Sequence, residues 1–270
     1  MMQVIKIPGI NGLGKTNGCE QAGNEIIVGL KEIYSNEQGK PIDSNILDLE
    51  EIHLDNDNLE YSNELIYKNS LEAFETKPKL VFLGGDHSVS YSTTKAFLES
   101  CKNQGKEPCL IVFDAHPDCM EPMKEPTHEE WLRALIEAGF PKENILLIGL
   151  RNSYKDELIF MAQNRIKTLD LNQVLLDIEN ACDTIMEFAS GKELYVSIDI
   201  DVVDPVFAPA TGYKNEVGGL TSRQLIYLIQ RINKIKTLRA IDVVEINAEK
   251  DKEFNGVTIK LGSKILSELL

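Results

Sequence analysis

The 270-residue chain is 43% hydrophobic and 26% charged, a balance expected of one folded α/β domain spanning residues 1–270. Its 43 acidic against 28 basic side chains leave a formal charge of -15, which argues against nucleic acid or an anionic membrane as partner, because both reward clustered Lys and Arg. Five scattered cysteines form no C-x-x-C pair and the interrupted apolar run at 1–10 does not read as a signal peptide, so reduced thiols and a cytoplasmic location are expected.

From the N-terminus, an apolar β-rich run at 3–7 is followed by Gly9, Gly14, Lys15 and Thr16 in the spacing G-x-x-x-x-G-K-T, then by an amphipathic stretch at 20–34 that predicts a helix. A strand is expected at 45–47, and the polar segment 54–63 reads as a surface loop or helix lead-in. The run 79–83 predicts the next strand and 90–103 the helix after it; 110–113 is followed by a helix at 129–138, and two further strands are expected at 145–150 and 166–169. Helical periodicity at 171–190, a strand at 194–200, a helix at 222–235, a strand at 239–246 and a helix over 254–270 complete the chain. Several runs are continuously apolar, as strands buried on both faces should be. The alternation predicts a three-layer α-β-α fold with a mostly parallel sheet of about eight strands, doubly wound with helices on both sides. Ligands of such sheets gather beyond the carboxyl ends of the strands.

Three predicted strands end in acidic, imidazole-bearing segments: Gly84-Gly85-Asp86-His87-Ser88, Asp114-Ala115-His116-Pro117-Asp118, and Asp199-Ile200-Asp201-Val202-Val203-Asp204-Pro205. If the strand pleat continues, residues two apart share a face, which would aim Asp114, His116 and Asp118 at one spot and Asp199 with Asp201 at another. Carboxylates that close repel one another unless cations neutralise them. Imidazole with carboxylate and no thiolate suits Mn²⁺ or a similar ion better than structural zinc. An Asp pair at a strand end is by itself more often a turn or a helix cap. Here, however, three of the chain's four histidines lie in or just beyond such acidic ends.

These segments resemble the ureohydrolase family of arginase, agmatinase, guanidinobutyrase and formiminoglutamase: G-G-D-H-S at 84–88, D-A-H-x-D at 114–118 and S-x-D-x-D-x-x-D-P at 197–205, with P-A-T-G at 209–212, G-G-L-T at 218–221 and E-I-N at 245–247. The resemblance implies an arginase-like fold and two Mn²⁺ per chain, one held by His87, Asp114, Asp118 and Asp199, the other by Asp114, His116, Asp199 and Asp201. It further implies hydrolysis of a small cationic guanidino substrate to urea and an amine, with Glu245 pairing with the guanidinium and His128 relaying protons. Assembly into a homo-oligomer, a trimer or hexamer, is also implied. An exposed His at a helix start is the plainer reading of His128.

Arginases usually carry an Asn two residues after D-A-H-x-D and a Ser-x-Asn before the histidine, to grip the amino acid head of arginine. This chain has Met120 and Glu125-Pro126-Thr127 there. The clamp is missing, which favours agmatine or another guanidino compound over arginine, with Met120 and Cys119 as candidates for a less polar tail pocket and Glu157 as a remaining acidic contact. The loop 213–216 is expected to alter the mouth of the same pocket. Arginase or formiminoglutamase activity stays open within the resemblance. A P-loop nucleotide-binding protein built on Gly9, Lys15 and Thr16 is the alternative of a different class, weakened because Asn17-Gly18 delays the helix whose N-terminus would meet a phosphate. A catalytically silent relative is the third reading.

Overall fold

The computed structural model describes residues 2–213 and 216–270. Strands β3 (Leu80–Gly84), β4 (Pro108–Phe113) and β5 (Ile145–Ile148) are buried at every position, as their unbroken apolar runs require. Together with β1 (Gln3–Ile7), β2 (Asp48–Glu51), β6 (Lys167–Leu169), β7 (Glu193–Asp199) and β8 (Leu238–Val244) they form one sheet in the order β2-β1-β3-β8-β7-β4-β5-β6, with every pairing parallel.

Alternate residues of the inner strands feed two separate cores. Val4, Val81, Ile111, Val196 and Ile241 pack on one face beneath α1 (Ala22–Leu30), α7 (Ile178–Phe188), α8 (Ser222–Ile232) and α10 (Val257–Leu269). Ile5, Phe82, Val112, Tyr195 and Ala240 pack on the other beneath α2 (Leu59–Thr76), α3 (Val89–Asn103) and α4 (Trp131–Glu137). Period-two alternation therefore builds the expected three layers. No helix among the described residues is long and apolar enough to cross a membrane.

Several boundaries differ from the sequence expectation, each for a local reason. The segment expected as a strand at 45–47 opens in a 3₁₀ turn, Ser44–Ile46, begun where Asp43 accepts the Asn45 amide at 2.9 Å; the edge strand follows as Asp48–Glu51, with three acidic residues on its rim. The predicted helix 171–190 is two helices, α6 (Leu171–Leu176) and α7, because Asp177 leaves helical geometry and accepts the Asn180 amide at 3.0 Å. The stretch 20–34 is a 3₁₀ turn, Cys19–Gln21, followed by α1. The segment 54–63 leads into α2, which begins at Leu59, while α5 (Lys155–Asn164) is unforeseen and α9 (Ala248–Asp251) is a single turn. The expected strands 145–150, 194–200 and 239–246 overrun because the chain turns at Gly149 (φ 112°), at the 3₁₀ turn Ile200–Val202 and at Glu245 (φ 63°).

The strand order explains why the chemistry converges. β3, β8, β7 and β4 are consecutive neighbours, so the segments that leave their carboxyl ends, bearing His87, Glu245, Asp199 and Asp114, share one crevice.

Candidate metal centre

The loop after β3 is fixed by close main-chain packing. A Cβ on Gly85 would stand 2.1 Å from the Gly9 carbonyl oxygen, and Asp86 donates its amide to that oxygen at 3.1 Å. Asp86 itself is an anchor: one carboxylate oxygen accepts the Asn11 amide and the Thr16 hydroxyl, each at 2.7 Å, and the other accepts from Ser88. Burial, then the nearby Glu245, pushes its carboxyl up to about 6. His87 follows directly and turns inward.

The acidic residues converge through turns, not through the strand pleat that the sequence suggested. Asp114 lies just past β4 and accepts the His116 amide at 2.7 Å; Asp199 ends β7 and accepts the Asp201 amide at 2.8 Å. Asp201 in turn accepts the Ala115 amide at 3.0 Å, which ties the two loops together. Asp118 occupies the left-handed region at φ 51°.

The geometry brings all six expected ligands into the crevice. His87 Nδ1 lies 3.1 Å from Asp114 Oδ2, 3.0 Å from Asp118 Oδ2 and 3.3 Å from Asp199 Oδ2. His116 Nδ1 lies 2.9 Å from Asp201 Oδ2 and 3.6 Å from Asp114 Oδ1. Two compact groups result, His87-Asp114-Asp199 and Asp114-His116-Asp201, with donor atoms in each within 4.8 Å of one another. Asp114 belongs to both, one oxygen to each side. Asp199 joins only the first group.

The electrostatics are those of crowded anions. Burial and the neighbouring Asp114 push Asp118 up to about 7; burial, Asp201 and Asp114 raise Asp199 well above the usual range. Burial and Asp114 raise Asp201 too. Asp114 alone is held low, against its burial, by His116 and His87. His87 is raised well above its ordinary value by Asp114, Asp118 and Asp199 although burial opposes this, and His116 reaches about 12 against its burial through Asp114 and Asp201.

Orientation of His87 is set from behind. Ser197 donates to the Asp242 carboxylate at 2.6 Å, and Ser90, Tyr195 and the Ile198 amide donate to the same group, so the serine oxygen is left to accept from His87 Nε2 at 2.9 Å. That arrangement leaves Nδ1 of a neutral imidazole as a lone-pair donor facing the carboxylates. Among the described residues, His87 Nδ1 and Asp114 Oδ2 are buried with no hydrogen-bond partner. Two orphaned donor atoms, in an imidazole and carboxylate set without thiolate, fit a pair of divalent ions of the Mn²⁺ kind.

Beside the two groups, His116, His128, Asp118, Asp199, Asp201 and Glu245 floor a cavity of about 40 Å³, with Glu129, Asn152, Tyr154 and Tyr213 around its mouth. Glu245 Oε1 accepts the His87 amide at 2.8 Å and lies 3.1 Å from His128 Nδ1. A Cβ on Gly212 would come within 1.7 Å of Glu245 Oε2, so the glycine of P-A-T-G makes room for this carboxylate. His128 is buried, 7% exposed, which overturns the reading of it as an exposed residue at a helix start. Glu245 raises it to about 9 against its burial, and its Nε2 has no partner among the described residues.

The tail residues are arranged differently from the expectation. Met120 is not among the described residues lining the cavity, and Cys119 turns its Sγ to the Pro117 carbonyl at 3.1 Å. Glu157 does line the wall, yet its oxygens accept the Cys119 amide at 3.0 Å and the Tyr154 amide at 2.7 Å, making it the cap of α5. Glu125 bonds Asn63, Thr127 bonds Glu130, and Asn11 holds the Glu125 and Pro126 carbonyls, so these three residues serve the local loop. Lys214 and Asn215 of the mouth loop lie outside the described residues. The P-loop reading is overturned: Thr16 is buried on Asp86, Lys15 points at Glu129 (3.2 Å) and over the Tyr213 ring (4.3 Å), and the helix starts only at Ala22.

Sequence reasoning assigned no role to Trp131, Ser197 or Asp242. For Asp242 a signal existed, an acidic residue inside the apolar run of β8.

A model of the arginase family matches residues 2–270. Over 252 residues the chain is 28% identical to an agmatinase of Bacillus subtilis strain 168, covering 91% of this chain and 81% of that one. It is 30% identical over 184 residues to an arginase of Staphylococcus aureus strain MRSA252, covering 61% of this chain; the match spans 59% of the staphylococcal protein's length. Among solved structures, a proclavaminate amidino hydrolase from Streptomyces clavuligerus superposes with a TM-score of 0.86 at 24% identity, covering 99% of this chain and 90% of that one. A formimidoylglutamase from Bacillus subtilis gives 0.86 at 23%, covering 99% and 85%. At these identities the structural likeness is one of fold.

Proposed function

The chain belongs to the arginase family, and on that premise we propose that it hydrolyses the guanidino group of a small cationic substrate to urea and an amine, with two Mn²⁺ in the crevice at the ends of β3, β8, β7 and β4. The observation that carries this reading is Asp114, which turns one oxygen to His87 and the other to His116, so that two ligand groups meet at a shared carboxylate beside Glu245. His87, Asp114, Asp118 and Asp199 would hold one ion; Asp114, His116 and Asp201 would hold the other, with Asp199 added as a second bridge on the strength of the resemblance. When bound, such a pair supplies an acidified water as the nucleophile.

The remaining work falls to side chains of the chain itself. Glu245 lines the cavity, where its carboxylate can accept guanidinium N–H bonds and set the trigonal carbon in line for attack. Its Oε1 keeps a proton on His128 Nδ1, and the free Nε2 of that ring is positioned to pass a proton to the departing amine.

An agmatine-like substrate is favoured over arginine because the residues at the amino acid clamp, Met120 and 125–127, do not face the cavity, and because both oxygens of Glu157 already carry main-chain amides. The test is urea release from agmatine, guanidinobutyrate and arginine by manganese-loaded protein. Agmatine is expected to be cleaved fastest and chelation to abolish the reaction. Release from arginine alone would reverse the preference. No urea from any of them would refute the substrate class and direct the search to formiminoglutamate, with formamide as product.

A further inference from the structure

Trp131, the single tryptophan of the chain and the first residue of α4, is fully buried beneath the first ligand group. Its indole Nε1 donates to Asp118 Oδ2 at 2.8 Å, and that same oxygen lies 3.0 Å from His87 Nδ1. The indole also lies against the His87 imidazole, with ring centres 4.6 Å apart and planes inclined by 37°. One side chain thus touches two of the residues that would hold the first ion, by a hydrogen bond to Asp118 and by packing against His87.

Asp118 is in need of such a hold. It sits in the left-handed region at φ 51°, a conformation that a non-glycine residue keeps only when its surroundings enforce it, and it faces Asp114 across His87. The chemistry of the donor matters as much as its position. An indole N–H donates only, carries no charge and does not titrate, so it fixes the carboxylate without neutralising it and without placing a positive charge where a cation must go. A lysine or arginine there would do both.

We propose that Trp131 is a positioning residue for the first metal site, orienting Asp118 through its N–H and His87 through its ring. The inference rests on the reading of the crevice as a divalent-ion site. Full-length protein is titrated with Co²⁺ and followed by calorimetry and by the visible absorption of the bound ion. The unmutated chain should take up two ions. Trp131→Phe keeps a ring against His87 but removes the N–H, and should weaken one of the two equivalents by about 10- to 100-fold with an altered visible band, the other remaining within about twofold. Thermal unfolding of the metal-free variant establishes that it is folded. Asp118→Ala supplies the decisive comparison: adding Trp131→Phe to it should cost little further affinity, because the acceptor through which the indole acts is already gone. Unchanged affinities in Trp131→Phe, or additive losses in the double variant, would overturn the proposal while leaving the metal-dependent reading intact. An unmutated chain that binds no Co²⁺ would overturn both.

Discussion

Gly212 and Glu245 show how a single atom's room decides a site. With no Cβ at 212 the Glu245 carboxylate reaches the cavity; with one, the two atoms would stand 1.7 Å apart and the acid must swing aside. Gly212→Ala is therefore expected to lower urea release by about 100-fold, the scale of a misplacement near 1 Å, with the far-ultraviolet circular dichroism unchanged. Near-normal turnover would show that Glu245 does not need that orientation. His128 gives the pH counterpart. Its folded value, about 9, lies above the ordinary 6.5, so its pairing with Glu245 stabilises the metal-free fold fully below pH 6.5 and is lost as pH rises through about 9. Relative to the unmutated chain, His128→Gln should lose thermal stability at pH 6 and little at pH 10, read from midpoints in chelator; an equal loss at both would show that the pairing is not the source. The six residues that meet in the crevice were legible because imidazole and carboxylate stand in dense, ordered motifs. Trp131 and Asp242 were not, since a buried tryptophan or a polar residue in a strand reveals its partner only in three dimensions.

Helices α6 and α7 meet at Asp177, which ends one and begins the other. Replacing its carboxylate removes the acceptor for the Asn180 amide, and Asp177→Ala should cost about 1 kcal/mol of unfolding free energy in a urea titration. A stability unchanged within error would show that this cap does not stabilise the junction. The same scale shows why some elements were readable and others hidden. Uninterrupted apolar strands such as β4 and β5 stand out against their surroundings, and α8 opens with Thr221 and Gln224 in a reciprocal cap. The buried stripe of α2 runs Ser62, Ile66, Ser70, Ala73 and Phe74, so its helical period is intact while two of its five positions are serines that hydropathy does not register. In α5 only Glu157 and Met161 are buried, too few to define a face.

For the molecule as a whole, the crowded carboxylates make stability a function of what they bind. Ions that engage only the folded chain stabilise it by mass action, about 2.7 kcal/mol for one site at a hundredfold excess over its dissociation constant. The unfolding midpoint is thus expected to climb with added Mn²⁺ and to fall back in chelator, whereas a midpoint indifferent to both would remove the basis for treating the crevice as an ion site. The order of strands has a consequence in time as well as in space. β7 and β8 slot between β3 and β4, although they are synthesised long after both. A nascent chain that has emerged only as far as α4 therefore carries a sheet with its middle missing: β3 and β4 have no edge in common, and His87 and Asp114 have no reason to meet. Ribosomal delivery from one end thus postpones assembly of the crevice until β7 and β8 have emerged and threaded between the two strands already made.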